Sequence, residues 1–219
     1  MTVLDVIQKS TEFLTRKGVE SPRLQVELLL GHILKLPRLR LYLEHDRELT
    51  PPQVDQLREL VKRRGQREPL QHIVGTTSFC GRDFIVNKDV LIPRPETELL
   101  AEYAWKWLGS RPGTAPRVLD FGTGSGCLAV TMALQVPKAS VTAIDLSAPA
   151  LAVARSNAAK LGAGERVEFR EGDGFSALAA GAPAFDLIIS NPPYIEAAEI
   201  ATLEPEVRDF DPRTALDGG

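Results

Sequence analysis

The chain has 219 residues, of which 43% are hydrophobic and 25% are charged, and its formal net charge is −3. These values are typical of a soluble protein of one or two domains, and the sequence shows neither an apolar run of membrane length nor a charged-then-apolar start, which argues against membrane insertion and secretion. The two cysteines, Cys80 and Cys127, lack the spacing of a metal site, so we expect reduced thiols in a cytoplasmic protein that holds no metal.

Residues 1–68 are predicted to form a bundle of four or five short helices. Apolar residues recur there at helical spacing, and Ser21-Pro22 and Thr50-Pro51-Pro52 are typical helix starts. The region contains no nucleophile and no ligand cluster, so we expect it to bind the substrate or a partner rather than perform chemistry. Its basic run, residues 62–67, could face RNA, the ribosome or an acidic protein, or could be only the solvated end of a helix.

A β-hairpin linker is predicted for residues 69–92. Residues 70–75 and 79–86 alternate between apolar and polar positions like short strands, and glycines separate them. The next segment, residues 90–98, has two prolines around Arg94 just before a helix. It could close over a cofactor or substrate, or it could be only a proline-rich helix entry.

A strand, a tight turn and a helix then follow in order. The strand spans residues 117–121, and the turn is Gly122-Thr123-Gly124-Ser125-Gly126. Glycine lets the backbone approach a ligand closely and adopt positive φ. The dinucleotide fingerprint requires glycine at the first, third and sixth positions, but the sixth position here is Cys127. The sequence also lacks a Gly-Lys-Ser/Thr phosphate loop, which argues against a nucleoside triphosphatase.

Acidic residues follow the next two predicted strands. Asp145 ends the strand at residues 140–144, where a carboxylate can accept hydrogen bonds from both ribose hydroxyls of a nucleoside. This feature fits adenosine in general, so it does not separate S-adenosylmethionine from NAD. Asp173 follows the strand at residues 166–170 and could bind the adenine amino group or simply cap the next short helix. Asp120 could hold the glycine turn or contact a methionine ammonium group.

The fourth predicted strand, residues 185–190, ends in Asn191-Pro192-Pro193-Tyr194. A planar NH2 group is a poor nucleophile because its lone pair is delocalised. The side-chain carbonyl of Asn191 and the main-chain carbonyl of Pro192 could each accept one N–H, which would turn the nitrogen toward tetrahedral geometry. The prolines stiffen this loop, and Tyr194 would stack on the planar group. Alone, the tetrapeptide could be only a strand-ending turn, but its pairing with the glycine turn predicts methyl transfer from S-adenosylmethionine onto a planar nitrogen.

Four segments carry a family resemblance that covers nearly the whole chain. They are residues 67–75, residues 91–98, the turn at residues 120–126 and residues 191–194. Together they closely resemble the bacterial release factor glutamine methyltransferase family. The resemblance implies an α/β class I S-adenosylmethionine-dependent methyltransferase domain, Rossmann-like, over residues 93–219. It also implies N5-methylation of the glutamine in the Gly-Gly-Gln loop of peptide chain release factors. Because residues 76–219 are net acidic, we expect no direct contact to nucleic acid.

The resemblance assigns roles to particular residues. The residues expected to bind the cofactor are Gly122, Thr123, Gly124, Ser125, Gly126, Asp145, Asp173, Gly174 and Asn191. The residues expected to hold the glutamine amide are Asn191, Pro192, Pro193 and Tyr194. In the family the residue after the acid of the third strand is often large and apolar, but here it is Gly174, so we expect Phe175 to make the adenine contact.

The sequence supplies four candidate strands, whereas a class I methyltransferase sheet normally has seven. We therefore expect the last strands of the domain to be missing and the strand at residues 185–189 to have an unpaired edge, which leaves turnover by this chain open.

Two other hypotheses remain open. One is an adenine-N6 or guanine-N2 methyltransferase that acts on nucleic acid, which should have a basic catalytic face. Residues 76–219 instead hold 13 Lys and Arg against 19 Asp and Glu, while residues 1–75 hold 13 against 10. The other is a binding module that retains the fold and the partner contacts without turnover.

Overall fold

The computed structural model describes residues 1–111, 115–181 and 183–219. These residues form two compact units. The first unit contains Met1–Val74 and Pro205–Phe210, and the second contains Gly75–Glu204 and Asp211–Gly219. Within the described ranges, no helix combines the length and the apolar character needed to cross a membrane.

The first unit is helical, as the spacing of its apolar residues predicts. Its helices are α1 (Val3–Arg16), α2 (Pro22–Leu34), α3 (Arg38–Leu43), α4 (Pro51–Gly65), α5 (Leu70–Val74) and a short helix at Pro205–Arg208. Both α2 and α4 begin at predicted prolines, because the fixed φ of proline suits the first turn, where its missing N–H is not needed. The buried apolar residues of this unit form one core, which includes Val3, Val6, Leu14, Val26, Leu29, Leu30, Leu57 and Val61.

The basic run at the end of α4 stabilises the bundle. Arg64 is 4% exposed, and its guanidinium donates to Glu206 Oε1 at 2.7 Å, while Arg67 donates to Glu206 Oε2 at 2.6 Å. Burial alone would raise the pKa of Glu206, but the hydrogen bonds from Arg67 and Arg64 outweigh it and lower the pKa to about 2. Arg63 pairs with Glu68. Arg64 therefore neither faces a partner nor lies at a solvated helix end, so both interpretations of the basic run are wrong for this residue.

The prediction of a strand at residues 70–75 is also wrong, because residues 70–74 form α5. Leu70, Ile73 and Val74 have the i, i+3, i+4 spacing of a helix and pack against the core of the first unit. A run of six residues is too short for periodicity to distinguish a helix from a strand. The hairpin consists instead of β1 (Thr76–Phe79) and β2 (Arg82–Ile85), which pair antiparallel around Cys80-Gly81.

The second unit contains a sheet built from the four predicted strands. Its strands are β3 (Arg117–Phe121), β4 (Ser140–Asp145), β5 (Val167–Glu171) and β6 (Leu187–Ser190), and its helices are α6 (Pro95–Gly109), α7 (Cys127–Gln135) and α8 (Ala148–Lys160). All four strands are parallel, in the order β5-β4-β3-β6. Among the residues that the structure describes, β6 pairs in this sheet with β3 alone, and Ile188 on β6 is 52% exposed.

The strand order reverses at β3, because β4 and β5 lie on one side of it and β6 lies on the other. The carboxyl ends of parallel strands open a crevice at such a point, and ligands bind there in α/β folds. The buried Asn157 of α8 fixes this region. Its side chain accepts the Ile85 N–H at 2.6 Å and donates to the carbonyls of Ile85 at 3.0 Å and Ser125 at 2.8 Å. The glycine turn is thereby tied to the hairpin.

Candidate active site

A cavity of about 460 Å³ lies at the carboxyl ends of β3, β4, β5 and β6, which is a size common among small-molecule sites. The predicted site residues that line it are Gly122, Thr123, Gly124, Ser125, Asp145, Asp173, Gly174, Asn191 and Pro193. The predicted residues outside its described lining are Gly126, Phe175, Pro192 and Tyr194. The structure thus brings together residues from four separate stretches of sequence.

The glycines of the turn differ in what surrounds them. Gly122 and Gly124 have φ values of 75° and 52°, and a Cβ atom added to either would meet nothing within 4 Å. Their bare backbone therefore borders open space that a ligand can occupy. Gly126 also has positive φ, but an added Cβ would lie 3.0 Å from the Cβ of Ala154 on α8. Gly126 allows α7 to start close to α8, so the structure gives it a packing role.

Asp120 holds the glycine turn from within the fold. Its Oδ2 atom accepts the Thr123 hydroxyl at 2.6 Å and the Ala129 N–H at 3.0 Å. Burial raises the pKa of Asp120 to about 6, although these two hydrogen bonds act in the opposite direction. Asp120 is not among the described lining residues of the cavity. The geometry therefore supports the first of its two sequence interpretations, the bracing of the turn.

Asp145 joins the glycine turn to the end of β4. Its Oδ2 atom accepts the Gly124 N–H at 2.7 Å, and its Oδ1 atom accepts the Ser147 N–H at 2.9 Å. Each carboxylate oxygen can accept more than one hydrogen bond, so both retain capacity for a ligand. Asp145 also lines the cavity. This arrangement is compatible with acceptance of two ribose hydroxyls.

Asp173 lines the cavity after the end of β5. The short 3-10 helix that follows, Gly174–Ala177, receives no capping hydrogen bond from its side chain. The backbone carbonyl of Asp173 accepts the Ser176 N–H instead. The side chain is thus available to a ligand, and the capping interpretation is not supported.

The phenylalanine that lines the cavity is Phe121. Gly174 has a φ of 57°, and an added Cβ would lie 2.9 Å from the Cζ atom of Phe121, so glycine makes room for that ring. Phe175 is 61% exposed, and its ring packs on Phe121 with centroids 5.1 Å apart. Phe175 thus contacts Phe121 and is not among the described lining residues, so Phe121 is better placed than Phe175 for the expected adenine contact.

Asn191, in the loop after β6, lines the cavity. Its Nδ2 atom donates to the hydroxyl of Thr97 at 3.3 Å, and its Oδ1 atom accepts no hydrogen bond from the described residues. Pro193 lines the cavity beside it. Tyr194 is 78% exposed and is not among the described lining residues of the cavity, and its stacking on the substrate amide stays a prediction.

Two further segments contribute to the cavity wall. The first precedes and begins α6 and contributes Asp89, Val90, Leu91, Pro93 and Thr97. It includes the proline-rich segment that, from the sequence, could close over a ligand or be only a helix entry. The second contributes Pro212, Thr214 and Ala215, which no sequence signal indicated. The contact of Thr97 with Asn191 was not predicted, because it joins residues that are far apart in the chain.

The two thiols are poor nucleophiles at neutral pH. Burial raises the pKa of Cys127 to about 12 and that of Cys80 to about 11. Within residues 1–111, 115–181 and 183–219, no group of three or more His, Cys, Asp or Glu side chains is arranged to hold a metal ion.

A parallel sheet with a Gly-x-Gly-x-Gly turn after one strand, an acid after the next and Asn-Pro-Pro-Tyr after a third defines a class I S-adenosylmethionine-dependent methyltransferase. Residues 5–75 match the model of the PrmC N-terminal domain, and residues 97–204 match the model of the methyltransferase small domain. The release factor glutamine methyltransferase of Chlorobaculum tepidum is 49% identical over 98% of this chain and 75% of that protein. The chain belongs to the release factor glutamine methyltransferase family.

A second relative matches over a similar length, whereas a solved structure matches less of the chain at lower identity. The release factor glutamine methyltransferase of Geobacter sulfurreducens is 47% identical over 100% of this chain and 74% of that protein. Among solved structures, an S-adenosylmethionine-dependent methyltransferase from Agrobacterium tumefaciens is 19% identical, with a TM-score of 0.47 over 54% of this chain and 39% of that one.

Proposed function

We propose that this chain methylates the N5 nitrogen of the glutamine in the Gly-Gly-Gln loop of peptide chain release factors. The observation that carries the proposal is the position of Asn191. It lines the same cavity as the glycine turn, and its Oδ1 atom has no hydrogen-bond donor among the described residues. The names of the curated relatives support a release factor as the substrate.

The cavity contains the groups that S-adenosylmethionine needs. Asp145 would accept the ribose hydroxyls, and Asp173 would accept the adenine amino group. The bare backbone at Gly122 and Gly124 leaves open space for close approach. The N-terminus of α7, which begins at Cys127 directly after the turn, would favour the methionine carboxylate.

Asn191 and Pro192 would change the geometry of the nitrogen in the glutamine amide of the substrate. The Oδ1 atom of Asn191 and the carbonyl of Pro192 would each accept one N–H of the glutamine amide, and neither oxygen accepts a hydrogen bond from the described residues. Two acceptors at fixed positions would draw the nitrogen out of planarity and aim its lone pair outward. When bound, the cofactor supplies a methyl group on positively charged sulfur, so that a nitrogen–carbon bond forms as the carbon–sulfur bond breaks and one amide proton leaves to solvent.

The proposal assigns separate tasks along the chain. Residues 1–68 would bind the release factor, residues 69–92 would link the two regions, and residues 93–219 would transfer the methyl group. Because release factors act in translation, the proposed location is the cytoplasm.

The test is incubation with radiolabelled S-adenosylmethionine and a release factor whose Gly-Gly-Gln glutamine is intact or replaced by alanine. We expect label on the intact factor only. Equal label on both factors would contradict the assigned position. A parallel incubation with RNA and DNA covers the nucleic-acid alternative, and label there with none on the release factor would favour it. Calorimetry with the cofactor tests the binding-module alternative, which predicts no saturable binding.

A further inference from the structure

We propose that two residues outside the Asn-Pro-Pro-Tyr motif, Thr97 and Gly218, position its loop for catalysis. Thr97 would hold the side chain of Asn191, and Gly218 would hold the backbone of residues 193–195. This inference rests on the proposed function, because it assigns the two residues to the binding of the substrate amide. Both are positioning residues that act through the loop and need not contact the substrate.

Thr97 is held in place by the start of α6. It is 6% exposed, and its N–H donates to the carbonyl of Arg94 at 3.0 Å in the first turn of the helix. The next residue, Glu98, accepts the Cys80 N–H at 2.8 Å and fixes this turn against the hairpin. The Thr97 hydroxyl therefore offers the Nδ2 atom of Asn191 a partner at a defined position, 3.3 Å away.

The bond to Thr97 limits the rotation of the Asn191 amide. The terminal torsion of an asparagine side chain is broad and roughly two-fold, so an unanchored amide samples many orientations. With Nδ2 held by Thr97, Oδ1 is left to accept an N–H of the substrate. Preorganisation of this kind accelerates a reaction because the acceptor is already oriented before the substrate binds. Loss of the Thr97 hydroxyl should therefore slow turnover without weakening cofactor binding.

Gly218 holds the other end of the loop through backbone contacts. Its N–H donates to the carbonyl of Ile195 at 2.9 Å, and the Ile195 N–H donates to the carbonyl of Leu216 at 3.0 Å. A Cβ added to Gly218 would lie 2.9 Å from the Cα atom of Tyr194 and 3.0 Å from the carbonyl oxygen of Pro193. Both neighbours are backbone atoms, so rotation of a side chain cannot relieve the clash. Any larger residue would displace the loop.

The two contacts share an anchor at the start of α6. Arg94 directly precedes this helix and pairs with the buried Asp211 at 2.7 Å, which secures the segment that leads to Gly218. Leu216, in the same segment, is 4% exposed. The first residues of α6 thus fix the Asn-Pro-Pro-Tyr loop directly through Thr97 and indirectly through Asp211.

The test compares five variants by turnover and by calorimetry with S-adenosylmethionine. We expect Thr97→Val to lower kcat by about fivefold and Gly218→Ala by at least as much, given that one oriented hydrogen bond is worth roughly 1 kcal/mol. Thr97→Ser should retain most of kcat. Matched controls are Thr131→Val, which removes a buried hydroxyl that has no hydrogen-bond partner, and Gly109→Ala, where an added Cβ meets nothing within 4 Å.

Cofactor affinity should stay within about twofold of wild type in all five variants, because none removes a proposed cofactor contact. Unchanged kcat in Thr97→Val or Gly218→Ala would overturn the inference. An equal loss of kcat and cofactor affinity would do the same, because it would indicate general damage to the fold.

A measurement independent of turnover separates this inference from the proposed function. In nuclear magnetic resonance spectra, the side-chain NH2 of Asn191 should be ordered in the wild type, mobile in Thr97→Val and ordered again in Thr97→Ser. The backbone N–H of Ile195 should lose protection from hydrogen exchange in Gly218→Ala. If wild type fails to label release factors, the proposed function fails, while these spectra still decide the inference. An Asn191 side chain of equal mobility in wild type and Thr97→Val would refute it.

Discussion

The Oδ2 atom of Asp145 lies 2.7 Å from the backbone nitrogen of Gly124, so one carboxylate both braces the glycine turn and lines the cavity. This contact joins the end of β4 to the turn that follows β3. The same side chain would therefore serve both the bracing of the turn and the proposed binding of the ribose. The orientation of Asp145 is fixed before a ligand enters, which favours tight binding of a nucleoside.

Replacement of Asp145 by alanine should weaken binding of S-adenosylmethionine by roughly 30-fold or more, because hydrogen bonds to a charged group contribute about 1.5–3 kcal/mol each. Isothermal calorimetry measures the change. Asp83→Ala is the matched control, since Asp83 is an exposed residue on β2 outside the cavity lining. A dissociation constant unchanged by Asp145→Ala would count against the ribose role.

Replacement of Asn157 by alanine should destabilise the second unit by about 2–4 kcal/mol, because the backbone groups of Ile85 and Ser125 would lose buried partners. Chemical denaturation measures the loss. Hydrogen exchange should also show faster exchange of the Ile85 N–H. The exposed neighbour Ser156 provides the control variant, Ser156→Ala, which should change stability little. Equal stability of the two variants would contradict the role of Asn157 in holding the β1–β2 hairpin to the glycine turn.

Asp120 should make the protein less stable as pH rises. Burial raises its pKa from 3.8 to about 6, so its contribution is fully present below pH 3.8 and is lost as the pH rises through about 6. Asp120→Asn should remove this part of the pH dependence. The measurement is the difference in unfolding free energy between wild type and variant across this range. Asp211, whose pKa burial also raises to about 6, titrates in both proteins and cancels. A difference that stays constant with pH would contradict the assignment.

Glu206 should have the opposite effect in the first unit. Its pKa is lowered from 4.5 to about 2, so its contribution is present above pH 4.5 and is lost as the pH falls through about 2. Glu206→Gln should destabilise the protein at neutral pH by up to about 3 kcal/mol, because it leaves Arg64 buried without its carboxylate. Thermal unfolding compares it with Glu12→Gln, which alters an exposed residue on α1. A loss no greater than that of the control would contradict this account of the ion pairs.

The sequence predicted the strands, turns and helix starts whose conformation is set by residues close to them in the chain. The four parallel strands, the glycine turn and the helix starts at Pro22 and Pro51 are set by periodicity and by the backbone limits of glycine and proline. Asp145 and Asp173 were identified because an acid after a strand in such a fold faces the crevice.

Contacts between distant residues could not be predicted in this way. Thr97 contacts Asn191 across 94 positions, and Gly218 meets the loop only after the chain has left the second unit and returned to it. Residues 70–74 were mistaken for a strand because they face the core of the helical unit and too few residues define their period. Phe175 was expected in the cavity because the sequence does not show that Gly174 makes room for Phe121.

The most direct test of the central claim is the effect of Asn191→Ala on a single turnover with saturating S-adenosylmethionine and release factor. We expect the rate of methyl transfer to fall roughly 100-fold or more, as when a preorganised polar group is removed from an active site. The dissociation constant for the cofactor, measured by calorimetry on the same protein, should change by no more than about twofold, because the lost interaction strengthens mainly in the transition state. An undiminished rate, or a loss of rate matched by an equal loss of cofactor affinity, would contradict the role of Asn191 as the acceptor that reshapes the amide nitrogen.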